Sequence, residues 1–262
     1  MPERATERAT WIVQLFVDGP IAVADPIRFQ QLKGFNDRRQ FYSEVSVQNS
    51  LLGLRMSVTA FARERDPARK AALVFLGEML DVLATELRLP LRLSLFDLRN
   101  ADRSGHSVKR VVTEHEFRKA FTQARWLSEQ EPTFLRALSW FRKGLITEDS
   151  LDRFFALWLA LEIVASKYHP DVPGAKKGSK SQIWESFKVL WGDCANWPII
   201  GSQDRWIDEN YTLRLQIAHG IAAVDVEAVE RATEMSETIQ EVSQRFLTDW
   251  AHRYFGYAYS VA

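Results

Sequence analysis

Leu213-Arg214-Leu215-Gln216-Ile217-Ala218-His219-Gly220 sets an arginine and a histidine five residues apart and follows them with glycine. Glycine accepts the left-handed conformation that closes helices, so the run predicts a helix over residues 204–219 that stops at Gly220. Arginine grips phosphate through its planar fork, and histidine is the side chain that titrates near neutrality. A cationic imidazole at a helix C-terminus is further favoured by the helix dipole. Spacing alone does not select this pair. Arg99 with His106, Arg110 with His115, and Arg245 with His252 lie five to seven residues apart as well. The helix end and the apolar Ile217 and Ala218 single out Arg214 and His219. On an ideal helix these two side chains point about 140° apart. A second copy of the same helix would bring one copy's histidine near the other's arginine, which hints at a homodimer without demanding one.

Upstream, the pattern is helical from residue 113 onward. Thr113-Glu114-His115-Glu116 is a capping box opening a helix to about Glu129. Pro132 opens the next, to Lys143, with Gly144 as its terminator. Thr147 is expected to cap a long helix through Lys167. In that helix Glu162 falls within the apolar stripe of Leu151, Phe154, Phe155, Trp158 and Leu161. A carboxylate on such a stripe needs a partner. Arg214 or His219 is the functional choice, and an ion pair at the rim of a bundle is the plain one. Residues 168–180 read as a loop. Its Lys176, Lys177 and Lys180 are candidates for contact with an RNA backbone, the alternative being a solvated loop. A shorter helix over 181–191 and a final one over 226–254 complete the segment.

The first hundred residues read differently. Trp11 to Val17 is a short apolar run, and Phe41 to Val47 a weaker strand. Leu54, Met56, Val58 and Ala60 alternate with polar residues, as do Leu91, Leu93 and Leu95. Between them Asp66 is expected to cap a helix, with Pro67 in its first turn, that runs through Leu73, Leu76, Leu80 and Leu83 and that Pro90 ends. The expected fold is therefore α+β. Residues 1–100 form a small strand–helix–strand domain, 98–112 a polar linker, and residues 113–262 an all-α bundle.

Composition narrows the function classes. The 262 residues carry 34 Lys+Arg against 34 Asp+Glu, a formal balance of zero that argues against a broad electrostatic coat for nucleic acid. The lone Cys194 permits no internal disulfide. No apolar run approaches the roughly 20 residues that span a bilayer. A cytoplasmic protein without membrane contact is expected. The tryptophans, mostly from Trp126 to Trp250, suit the core of a helical domain, including a stripe from Trp140 to Trp158. No His/Cys/Asp/Glu cluster has metal-ligand spacing, and no phosphate loop, nucleophile elbow or dinucleotide fingerprint is present. Neither metal nor cofactor is expected.

Arg-x4-His ending in Ile-Ala-His-Gly resembles the signature of the HEPN superfamily (higher eukaryotes and prokaryotes nucleotide-binding). The two segments 137–145 and 152–162 resemble the helix pair that precedes it in the MauJ-like and ApeA-like branches. The likeness covers about Thr113 to Tyr257. It implies a HEPN-like bundle that dimerises with two Arg-x4-His motifs facing a cleft, and RNA cleavage without metal. In that chemistry His219 moves the proton and Arg214 stabilises phosphate charge. Toxin, defence or stress-response settings are common in the family, and a regulatory protein partner is a candidate here. The residue after the arginine is usually polar in active members. Here it is Leu215, which leaves a non-catalytic dimerisation or binding scaffold as the alternative.

Overall fold

The computed structural model describes residues 9–36, 39–94, 110–219 and 226–256. The chain is mixed α+β and divides into two compact units, residues 1–125 and 126–262.

The N-terminal unit is built on a five-stranded antiparallel sheet, ordered β3-β4-β5-β1-β6. Its strands are β1 (Ala9–Asp18), β3 (Ile27–Asn36), β4 (Arg39–Asn49), β5 (Gly53–Ala62) and β6 (Arg92–Ser94). β1 and β5 pair along their whole lengths, from Ala9 opposite Ala62 to Asp18 opposite Gly53. The period-two alternation read from the sequence is the buried face of β5, where Leu54, Met56, Val58 and Ala60 are all buried. Helix α1 (Arg65–Leu87) packs on that face through Ala72, Leu76 and Leu80. Asp66 does not cap α1. Glu64 holds the cap position without a side-chain bond, and Asp66 lies in the first turn, where the helix dipole favours an acid. Arg88, left-handed at φ 57°, closes the helix before Pro90.

β3 was not visible in the sequence. Its inner positions are Phe29 and Gln31, so alternation fails, and its register shifts between Leu32 and Gly34. A short parallel ladder joins β2 (Ile21–Ala22) to β7 (Arg110–Val111), so the end of the expected linker is a strand. The rest of that linker, with Arg99 and His106, lies outside the described residues. Helix α2 (Glu114–Gln130) opens with the expected capping box: Glu116 N–H donates to Thr113 Oγ1 at 3.3 Å, and Thr113 N–H to Glu116 Oε2 at 2.8 Å. The N-terminal part of α2 packs within the N-terminal unit. There Phe121 stacks on Phe75 with ring centroids 4.8 Å apart, and Arg118 donates to the Gln30 carbonyl at 3.1 Å.

The C-terminal unit is helical. Its helices are α3 (Pro132–Ile146), α4 (Ser150–Tyr168), α5 (Ser179–Trp191), α6 (Trp206–Ala218) and α7 (Val226–Trp250). The last continues as a wider π-type turn over Ala251–Phe255. α4 is the central element, packed against α3, α5, α6 and α7. Two sequence readings are corrected here. Gly144 is not a terminator. It lies inside α3, where a Cβ would stand 2.6 Å from the Leu157 side chain, so the glycine permits close approach to α4. Nor does Thr147 cap α4. Its Oγ1 donates to the Lys143 carbonyl at the end of α3, while Asp149 accepts from Asp152 N–H at 2.9 Å.

The expected loop 168–180 is largely structured. α4 extends to Tyr168, Pro173–Lys177 is a 3-10 turn, and Ser179 already begins α5. Trp158, Phe154, Phe187, Phe246 and Trp250 form the aromatic core of this unit. Trp140 is not part of it. It is half-buried beneath Lys143 and Arg136, at 4.6 and 5.3 Å from its ring.

Candidate functional site

α6 carries Arg214 and runs past α4. Its inner face presents Trp206, Ile207, Asn210 and Leu213, all buried. Arg214 continues that face and meets Glu162 of α4. Its Nε donates to Glu162 Oε2 at 3.0 Å, and the side chains are 21% and 11% exposed. The same Oε2 accepts the indole N–H of Trp158 at 3.1 Å. Trp158 and Glu162 are one helical turn apart, so the indole fixes the carboxylate on its own helix before the arginine reaches it. The guanidinium lies 5.9 Å from the Phe155 ring centroid. Breaking such an enclosed pair strands a charge away from water. Its two Nη groups make no hydrogen bond to a described residue, which leaves the planar fork for another acceptor.

His219 stands elsewhere on the helix. It is the first residue beyond α6, exposed, with its N–H bonded to the Leu215 carbonyl at 3.1 Å. The backbone thus keeps nearly helical geometry, and His219 follows the side of α6 that carries Arg205, Asp208, Thr212 and Gln216. That side and α7 enclose a groove of about 460 Å³, to which α7 contributes Arg231, Glu234 and Met235. Arg214 faces α4 and His219 lies on the groove side, so one chain does not bring them together. Leu215, the residue after Arg214, is half-buried. Gly220 lies outside the described residues.

The three lysines have separate settings. Lys180, in the first turn of α5, pairs with Asp208 of α6 at 2.8 Å. The hydrogen bond that Lys180 donates to Asp208, then the charge of that carboxylate, holds the ammonium above the usual lysine range. Lys176 pairs with Asp171 at 3.5 Å, both exposed. Lys177 is exposed on the 3-10 turn. Asp208, Glu209 and Glu234 offset Arg205 and Arg231 along the groove, so it is no track for phosphates.

The rival arginines are set apart by burial. Arg110 pairs with Glu116 at 2.9 Å and Arg245 with Asp249 at 2.6 Å, each arginine side chain 53% exposed. Sequence reasoning treated Trp158 as core alone and missed its bond to Glu162. The signal was there: an indole donor four residues before a carboxylate on one helix face. Asn210 was also missed. It is buried one turn before Arg214, its amide donates to the Trp206 carbonyl at 2.8 Å, and its Oδ1 has no partner among the described residues. Among the described residues no group of three His, Cys, Asp or Glu could hold a metal ion, and no helix is long and apolar enough to cross a membrane. No protein-family model, curated protein or solved structure matches the chain.

Proposed function

We propose that this chain is a HEPN-type RNA-binding protein and a metal-independent endoribonuclease acting as a homodimer. The observation that carries the reading is the state of Arg214. Glu162, itself bonded by Trp158, holds it by the Nε edge, and its Nη groups make no hydrogen bond among the described residues. In the reaction the substrate's 2′-hydroxyl attacks the adjacent phosphorus. The O2′–P bond forms, the P–O5′ bond breaks, and the proton leaving O2′ is replaced by one delivered to O5′. His219 moves these protons, and Arg214 meets the charge that develops on the phosphoryl oxygens. Because Arg214 and His219 occupy different sides of α6, the arginine of one copy serves with the histidine of the other.

The test is cleavage of labelled RNA in EDTA by the wild type, Arg214→Ala and His219→Ala. Cleavage that each substitution removes, and that mixing the two inactive variants partly restores, supports a composite site. A second reading, a non-catalytic scaffold of the same fold, is favoured by Leu215 after the arginine. A folded dimer that cuts no RNA supports the scaffold and overturns the nuclease.

A further inference from the structure

The outer face of the N-terminal sheet carries chemistry that the Arg214 site does not use. Strand pairing turns Val45, Met56 and Val58 toward the core, which turns their alternates outward. A solvated sheet face ordinarily reads polar. This one exposes Ile12 at 77%, Tyr42 at 47% and Phe61 at 45%. The two rings share one end of the sheet: Phe61 follows Thr59 by two residues, Tyr42 precedes Glu44 by two, and Glu44 N–H donates to Thr59 Oγ1 at 2.9 Å. Next to them is a hollow of about 220 Å³, lined by Ile12, Arg28, Glu44, Ser46, Ser57 and Thr59. Arg55 lies farther along β5 on the same face, bonded to the Gln48 side chain.

We infer that this face binds single-stranded RNA. Bases stack on Tyr42 and Phe61, while Arg28 and Arg55 meet the phosphates between them. Ring faces with nearby cations on a sheet are what an unpaired strand needs, since each base offers a π-face and each linkage a charge. Arg92 and Asp18 share this face at the β1–β6 end, so among the described residues three arginines outnumber two carboxylates and the face attracts the backbone. Glu44 repels phosphate locally and accepts from base amino groups or a 2′-hydroxyl, which orients bases over the hollow. A duplex hides the faces that the rings would stack on. The inference rests on the reading of this chain as RNA-directed, not on cleavage.

The experiment uses the full-length chain carrying His219→Ala, with a short fluorescently labelled single-stranded RNA followed by anisotropy. Tyr42→Ala and Phe61→Ala should each weaken binding by about 5- to 100-fold, and Tyr42→Phe should preserve it. Arg28→Ala should lower the slope of log affinity against log salt by about 0.7. Circular dichroism and melting of each variant exclude misfolding. Variants that fold and bind like the parent overturn the inference and leave the nuclease reading untouched. A parent that binds no single-stranded RNA, or binds duplex equally well, also overturns it. So does a Phe61→Ala that changes oligomeric state while RNA binding is unchanged, since the face would then be a protein contact. A wild type that cuts nothing, yet binds RNA through Tyr42 and Phe61, supports the inference while the nuclease reading fails.

Discussion

Among the described residues two ion pairs tether α6 to other helices, and the shorter one is the weaker. Lys180 and Asp208 join α5 to α6 at 2.8 Å with side chains 49% and 59% exposed. Glu162 and Arg214 join α4 to α6 at 3.0 Å with side chains 11% and 21% exposed. Water solvates the first pair almost as well apart as together, so its loss changes little. The second is enclosed, and removing one partner abandons the other in a poor solvent. Burial, not distance, ranks the two. It also ranks them functionally, because only an anchored cation presents its donors in a fixed direction.

Four substitutions test this ranking. Glu162→Ala should cost the most, about 3 kcal/mol, because Arg214 and the Trp158 indole both lose their acceptor. Chemical denaturation measures it. A cost equal to that of Lys180→Ala would end the distinction. Gly144→Ala should follow at about 2 kcal/mol, since the new methyl would stand 2.6 Å from Leu157 and push α4, with Glu162 on it, away from α3. Trp158→Phe keeps most of the ring packing and deletes one donor to Glu162, for about 1 kcal/mol, read as a shift in melting temperature. Lys180→Ala should be smallest. The sign of its pH dependence is fixed: a lysine whose pKa is raised in the fold contributes stability below its unfolded value near 10.4, lost as pH rises through the folded value. A difference between wild type and Lys180→Ala that stays constant through neutral pH and vanishes in alkali matches this. The opposite slope contradicts it.

The sequence displayed local periodicity well and long-range pairing poorly. β5 was legible because every second residue is apolar, and the capping box at Thr113 because its partners are three residues apart. β3 was hidden by Gln31 at a core-facing position, whose amide reaches Thr122 at 3.4 Å. Thr147 misled because it competes with Asp149, two residues on, and only geometry shows which oxygen meets an amide. Gly144 misled for a related reason, since a glycine near a helix end looks the same whether it closes the helix or admits a neighbour. At the site, Glu162 drew attention as a carboxylate on an apolar stripe, and its bond to Arg214 spans 52 residues. The bond from Lys180 to Asp208 left no such trace, because an exposed lysine has no need of a partner.

The β2–β7 ladder has a consequence for the order of events in folding. Ile21 pairs with Arg110 and Ala22 with Val111, and the flanking bonds run from Arg110 N–H to the Pro20 carbonyl and from Val112 N–H to that of Ala22. Closing so long a loop in a disordered chain costs on the order of 4 kcal/mol, more than a ladder this short returns. It can zip only after the sheet has drawn its ends together. This separate ladder should also part before the five-stranded sheet does, so the amide protons of Arg110 and Val112 should exchange with solvent well before those of the β1–β5 seam.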